Sequence, residues 1–207
     1  MSLKRIFCAS ASILLLAVVM TASSNATAVT VTITADDQYD LYVNGAFVGS
    51  GNHWESPETW VVEMAPGIGA IAVFAYDMAA ASGSGIGLIA NIAVDGGHSY
   101  VTDTSWKVAE VGPAGWSDVT FDDSAWSPPL DEGAYDTIPW TRYAPPITDF
   151  ASTGARWLWR GTPPYLSGYG YYNLGGYQNC YFRKTITVDE TTPAAAPSWG
   201  SLKAKYR

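Results

Sequence analysis

The chain has 207 residues, a length that fits one domain with appendages better than two independent enzymatic domains. Nineteen acidic residues against eleven lysines and arginines give a net charge of −8, which disfavours nucleic-acid binding because the chain would repel a phosphate backbone. Charged residues are only 14% of the chain, whereas glycine (20), tyrosine (13) and tryptophan (9) are abundant. This composition predicts a turn-rich, aromatic-rich β protein and argues against a helical bundle.

The first 28 residues have the organisation of a secretory signal peptide. Lys4 and Arg5 form a short basic region, residues 13–20 are the centre of an apolar run, and Ala26-Thr27-Ala28 has the small-x-small form that signal peptidase cleaves. Polar residues interrupt the apolar run, which is also short for a bilayer span. We therefore predict removal of residues 1–28 and export, with the mature protein secreted, periplasmic or at the cell surface.

Cysteine usage adds one expectation. Cys8 lies in the predicted leader, so the mature chain keeps Cys180, and one cysteine cannot form an internal disulfide. Cys180 begins a strand-like run, which favours a buried, inert thiol over a reactive or intermolecular one.

Short apolar runs and alternations of apolar and polar residues predict β-strands along the chain. The predicted strands are residues 29–35, 39–43, 46–49, 60–64, 70–76, 85–94 and 181–188. Those at 70–76 and 85–94 are nearly all apolar, which predicts central positions in their sheets. Asn44-Gly45 is the strongest two-residue hairpin signal because both positions tolerate positive φ. Seven or more short strands separated by turn signals predict an all-β sandwich or jelly roll.

The region from residue 102 to 179 has a weaker alternation, and tryptophans and prolines dominate it. Each X-Pro step favours extended backbone in the preceding residue, so we predict long ordered loops that link occasional strands. Loops of this length in a compact domain usually carry function.

Residues 35–49 (ADDQYDLYVNGAFVG) resemble the strand-turn-strand signature of galactose-binding-like β-sandwich modules, particularly the accessory domains of rhamnosidase-type and family 2 glycoside hydrolases. Further motifs are similar to that family in order and spacing: Pro66-Gly67, Asp103 to Lys107, Gly115-Trp116, Phe121 to Trp126, Trp157 to Trp159, and Tyr181 to Lys184. The resemblance covers about residues 31–188. It implies a galactose-binding-like β-sandwich (a jelly roll with long aromatic-rich loops) that is not itself catalytic.

Sequence signals for catalysis are weak. His53 and His98 are the histidines of the chain, and neither a Gly-x-Ser-x-Gly elbow nor a His-Glu-x-x-His motif accompanies them. The stretch at residues 85–90 matches a dinucleotide fingerprint, but β-rich residues follow where a helix must begin. Acidic residues are numerous, although number alone cannot place two at the separation of roughly 5 to 10 Å that glycoside hydrolysis requires. We therefore predict no catalytic residues and no enzyme activity.

Two acidic pairs have structural interpretations. In residues 121–126 (FDDSAW), we expect the aspartate and serine side chains to bond nearby backbone N–H groups and fix a tight turn. The phenylalanine and tryptophan of that motif are expected to insert on the core side. Asp36-Asp37 admits the same turn role or a share in a structural calcium site, which modules of this fold often carry. No metal ligands are assigned.

The binding hypothesis rests on aromatic residues in predicted loops. Sugars present apolar C–H faces that stack on rings and hydroxyls that need polar partners, so a site requires both kinds of group. Residues 52–55 and the tyrosine- and glycine-rich residues 165–177 combine them. The predicted ligand-binding residues are Asn52, His53, Trp54, Tyr169, Tyr171, Tyr172, Asn173 and Tyr177. The alternative for each ring is that it fills the core or packs a loop onto it.

The C-terminal residues form two segments. Residues 189–197 have the composition of an extended Pro/Ala/Thr linker. Residues 198–207 are basic, and Trp199, Leu202 and Tyr206 would share one face of a short helix. This tail is either a solvated appendage or a docking or sorting tag for self-association or for a surface partner.

Taken together, these features predict an exported β-sandwich domain at residues 29–188 that binds a glycan or polysaccharide without catalysis. The alternative is an extracellular structural or assembly protein whose sandwich packs against copies of itself or a partner. A strip of rings flanked by Asn, Asp or Arg would favour carbohydrate binding. A large apolar aromatic patch without adjacent polar groups would favour assembly.

Overall fold

The computed structural model describes residues 26–78, 86–138, 140–143, 147–161 and 178–190. The strands in these ranges are β1 (Thr27–Asp36), β2 (Gln38–Val43), β3 (Ala46–Gly51), β4 (Glu58–Met64), β5 (Gly67–Asp77), β6 (Gly87–Val94), β7 (Ser99–Val101), β8 (Lys107–Ala109), β9 (Leu130–Ala134), β10 (Arg156–Trp159) and β11 (Gln178–Val188). The helices are a single α-turn, α1 (Trp140–Tyr143), and a 3₁₀ turn at Thr148–Phe150. No helix in these ranges is long and apolar enough to cross a bilayer.

The strands form two antiparallel sheets that pack as a sandwich. One sheet has the order β4-β1-β6-β10-β9, with β7 paired to β6, and the other has the order β3-β2-β5-β11-β8. The predicted all-β sandwich is therefore confirmed. The two strands expected to be central, β5 and β6, lie in the middle of the two sheets.

The core lies between the sheets and follows the alternation in the sequence. In β1, Val29, Val31 and Ile33 are fully buried while the threonines between them point outward. On the facing sheet, Val73 and Phe182 are also fully buried and belong to the same apolar cluster. Strands in which apolar and polar residues alternate thus bury one face each, as a two-layer sandwich requires.

The hairpin between β2 and β3 forms as predicted. Asn44 and Gly45 have φ angles of 50° and 83°, the left-handed pair that a two-residue I′-type turn needs. The Asn44 side-chain oxygen also accepts a hydrogen bond from the backbone N–H of Ala70 at 2.8 Å. The turn is therefore tied to the neighbouring strand β5.

A second apolar cluster covers the outer face of the β4-β1-β6-β10-β9 sheet. Its buried members are Ile89, Trp140, Ile147, Phe150, Ala155 and Trp157. The rings of Trp140 and Trp157 stack with centroids 4.1 Å apart and planes at 7°. The Trp140 indole N–H donates to the Asp36 carboxylate at 3.1 Å, which ties α1 to the end of β1. This outer face is therefore closed by the chain itself.

The start of β1 precedes the predicted leader cleavage site. Thr27 and Ala28 pair with Met64 and Glu63 of β4, and Thr27 is buried. Cleavage after Ala28 would remove these two positions from the strand. The cleavage itself stays a prediction.

Gly49 on β3 allows Trp60 of β4 to lie across the sandwich edge. A Cβ at Gly49 would lie 2.2 Å from the Trp60 ring, whose indole N–H donates to the Tyr39 hydroxyl at 2.9 Å. Because the ring would have to move, we expect Gly49→Ala to lower the free energy of unfolding by about 1–3 kcal/mol in urea denaturation. Gly97→Ala is the control, since its nearest contact would be an ordinary 3.4 Å. Equal losses in the two variants would contradict this account.

Candidate functional site

The outer face of the β3-β2-β5-β11-β8 sheet carries a continuous strip of aromatic rings. In β5 and β11, Phe74 and Tyr181 are directly paired and alternate with core residues such as Val73 and Phe182. Trp116 joins them from the loop at residues 110–129, which connects β8 to β9. We call the rings of Tyr42, Phe47, Phe74, Tyr76, Trp116 and Tyr181 the outer strip.

Each ring of the outer strip touches the next. The centroid distances are 5.6 Å for Phe47–Tyr42, 5.5 Å for Tyr42–Trp116, 4.9 Å for Trp116–Tyr181, 4.8 Å for Tyr181–Phe74 and 5.4 Å for Phe74–Tyr76. Phe47 is 60% exposed, and the other five residues are half-buried. The strip therefore presents ring surface to solvent while neighbouring rings hold each member in place.

Arg183 of β11 fixes the 110–129 loop over this face. Its side chain is 1% exposed, and its Nε donates to the Asp123 carboxylate at 3.0 Å. Its Nη1 donates to the backbone carbonyls of Trp116 and Asp118 at 2.6 and 2.9 Å. The guanidinium also lies over the Phe121 ring, 5.2 Å from its centroid. One buried cation thus binds several points of the loop and determines where Trp116 lies.

The motif at residues 121–126 forms the expected turn, but its rings do not enter the core. The Ser124 N–H donates to the Asp122 carboxylate at 3.0 Å, as predicted. Phe121 and Trp126 pack on each other at 5.6 Å and are half-buried, and Trp126 stacks on Trp116 at 6.5 Å. The expectation of core-side insertion is wrong because strand residues already fill the space between the sheets and Arg183 holds the loop outside it.

Polar groups lie beside the rings of the outer strip. Gln38 and Asn179 pair with Tyr76 across the sheet and so share its face. Burial raises the pKa of the Asp40 carboxyl, and no described residue donates a hydrogen bond to it. Burial, then the Asp40 carboxylate and Tyr181, raise the pKa of Tyr42. The strip therefore combines ring faces with donors and acceptors, the arrangement that we expected of a carbohydrate site.

The structure places Asn52, His53 and Trp54 away from this strip. Asn52 and His53 are exposed in the connection from β3 to β4. The Trp54 ring is half-buried against the second apolar cluster, on the opposite side of the sandwich. The other predicted ligand-binding residues, Tyr169, Tyr171, Tyr172, Asn173 and Tyr177, lie outside the described residues. The binding role of all eight stays a prediction.

Asp36 and Asp37 make structural contacts, but with residues far along the chain and not with the nearby backbone N–H groups that a turn role predicts. Asp36 accepts from Trp140, and the Asp37 carboxylate accepts from the backbone N–H of Met78 at 2.7 Å. Burial, with a smaller effect from Asp37, raises the pKa of Asp36 to about 8. Within the described ranges, no three His, Cys, Asp or Glu side chains are grouped as a metal site. A structural calcium stays a prediction.

Cys180 is the buried, inert thiol that the sequence predicts. It is fully buried in the core cluster, and burial raises its pKa to about 12. A thiol that stays protonated at neutral pH is a poor nucleophile.

No protein-family model matches the chain. An alpha-L-rhamnosidase from Streptomyces avermitilis is 30% identical to it in an alignment of 128 residues that covers 58% of this chain. The chain spans only 12% of the length of that relative. The likeness therefore concerns one part of a much longer enzyme.

Solved structures of a lectin from Pleurotus ostreatus are similar to this sandwich. The lectin in complex with GalNAc has a TM-score of 0.51 and 26% identity, covering 58% of this chain and 36% of the lectin chain. The apo form has a TM-score of 0.50 and 18% identity, covering 80% and 64%. The chain therefore has a lectin-like β-sandwich, and its resemblance to part of a rhamnosidase is supported.

The pKa of Asp36 predicts a pH-dependent stability. Because the folded pKa of about 8 exceeds the ordinary value of 3.8, the folded state holds the proton more tightly, and its stability falls as pH rises from about 4 to 8. We expect Asp36→Asn to reduce the drop in thermal midpoint between pH 5 and pH 8 by roughly 5 °C. Asp95→Asn, at an exposed carboxylate, is the control. An undiminished pH dependence in Asp36→Asn would overturn the assignment.

Removal of the Arg183 guanidinium should release the 110–129 loop. Arg183→Met leaves the Asp123 carboxylate and two backbone carbonyls without their donor, so we expect a loss of about 2–4 kcal/mol in the free energy of unfolding. Amide hydrogen exchange in the loop should accelerate. Arg156→Met is the matched control, because its 3.0 Å pair with Asp131 is exposed and should contribute less than about 1 kcal/mol. Equal effects of the two substitutions would refute the anchoring role.

Proposed function

We propose that this chain is a non-catalytic carbohydrate-binding module that recognises glycans on the outer strip. The observation that carries the proposal is the continuity of the rings with polar groups on one exposed face. Phe47 and its neighbours offer surface to the C–H face of a sugar, and Asp40 offers an acceptor to its hydroxyls. Among the described residues, no donor bonds the Asp40 carboxylate, so it can accept from a sugar hydroxyl and orient a sugar that stacks on the rings.

The similarities to known proteins also support carbohydrate binding. The lectin structure in complex with GalNAc makes a galactose-type sugar the first ligand to test. The partial likeness to an alpha-L-rhamnosidase supports a module whose ligand is a glycoside. Both similar solved structures are of a lectin, which agrees with a binding role without catalysis.

The place of action is part of the proposal. If the leader is removed as the sequence predicts, the module meets glycans outside the cytoplasm, as a secreted, periplasmic or cell-surface protein. Its linker and basic tail would then leave the sandwich free to bind while the tail contacts a partner or an anionic surface.

A glycan array with the purified full chain tests the proposal, followed by calorimetry with the strongest ligands. We expect a discrete set of bound glycans, and an affinity loss of about 3- to 10-fold in Phe47→Ala, the size of one ring contact. Asp40→Asn should also weaken binding. Val61→Ala is the matched control, because Val61 is 63% exposed but lies on the other sheet.

Two results would contradict the proposal. One is the absence of any glycan binding at millimolar concentration, and the other is an equal loss in Phe47→Ala and Val61→Ala. Concentration-dependent self-association without glycan binding would support the assembly alternative instead.

A further inference from the structure

A cleft of about 330 Å³ opens beside β8, at the edge of the sheet that carries the outer strip. Ala109, Glu110, Trp126 and Arg160 are among its lining residues. Ala109 pairs with Tyr181 of the strip, and Trp126 stacks on Trp116 with ring planes at 19°. The cleft therefore continues the ring surface of the outer strip past the last strand of the sheet.

The polar wall of the cleft is an ion pair. Arg160 Nη1 lies 3.0 Å from Glu110 Oε2, and the two side chains are 35% and 68% exposed. Burial raises the pKa of the Cys180 thiol, and the charge of nearby Arg160 opposes that rise. The 3.0 Å contact with Glu110 therefore places the Arg160 guanidinium at the wall of the cleft.

The size and chemistry of the cleft limit its ligand. Its volume is near the lower end of the roughly 300–1,000 Å³ of ligand pockets, which suits one sugar ring better than an oligosaccharide. A guanidinium donates in a planar fork and a carboxylate accepts, so together they match two adjacent hydroxyls. Glu110 already neutralises Arg160, so the carboxylate of an acidic sugar would have to compete with Glu110 for the guanidinium.

We infer that this cleft binds a single neutral sugar ring at the end of a glycan that lies along the outer strip. The ring stacks on Trp126 while Arg160 donates to one hydroxyl and Glu110 accepts from its neighbour. This inference rests on the proposed function and adds a subsite that selects neutral over acidic terminal sugars.

The test is calorimetric titration of the full chain with galactose, N-acetylgalactosamine, L-rhamnose and galacturonic acid. We expect wild type to bind at least one neutral sugar and to bind galacturonic acid at least tenfold more weakly. Arg160→Gln should weaken the neutral sugar about tenfold or more, whereas Arg156→Gln should not, although both arginines form 3.0 Å ion pairs.

Glu110→Gln keeps the test informative if Arg160→Gln fails to fold, since Glu110 is an exposed side chain. It should weaken the neutral sugar and strengthen galacturonic acid relative to wild type, a gain that misfolding cannot produce. Wild-type affinities in both Glu110→Gln and Arg160→Gln would overturn the subsite. If Phe47→Ala still weakens glycan binding in that case, the outer strip alone binds sugar and the proposed function stands. If wild type and all the variants bind none of the sugars, the subsite and the proposed function are both contradicted.

Discussion

The outer strip depends on one buried guanidinium for its continuity. Arg183 lies on a central strand yet points away from the core, and it is almost completely shielded from solvent. Burial of a charge is costly unless it is paired and fully hydrogen-bonded, and here a carboxylate and loop carbonyls meet that requirement. The same bonds fix the 110–129 loop, and with it Trp116 and Trp126. Five of the six rings of the outer strip lie on strands, and Trp116, which Arg183 holds over the sheet, connects Tyr42 to Tyr181.

The two outer faces of the sandwich have different roles as a result. On one sheet, Trp140 and Trp157 stack face to face and close the surface with a second apolar cluster. On the other sheet, the rings form mostly edge contacts and remain half-exposed beside Asp40 and Gln38. A closed face contributes stability, whereas a half-open face with polar groups can contact a ligand. This difference explains why Trp54 is packed and Phe47 is available.

The sequence predicts much of the fold because alternation records which side of each strand is buried. All seven predicted strands form, and the Asn44-Gly45 hairpin follows from φ preferences at two positions. Strands of three residues, such as β7 and β8, are too short to show a period. The sequence does not predict the candidate site, because the site depends on a contact between residues far apart in the chain. Tyr42 and Tyr181 stand at outward positions, but no local pattern shows that Arg183 would bring Trp116, 67 residues away, between them.

A ¹⁵N NMR titration of the full chain with N-acetylgalactosamine and L-rhamnose tests the central claim most directly, because it shows where a sugar sits as well as whether it binds. The account predicts saturable shifts at the amides of Tyr42 and Phe47 and at the indole N–H of Trp116 and Trp126. Shifts confined to residues 52–54, or none at the outer strip under saturating sugar, would contradict it.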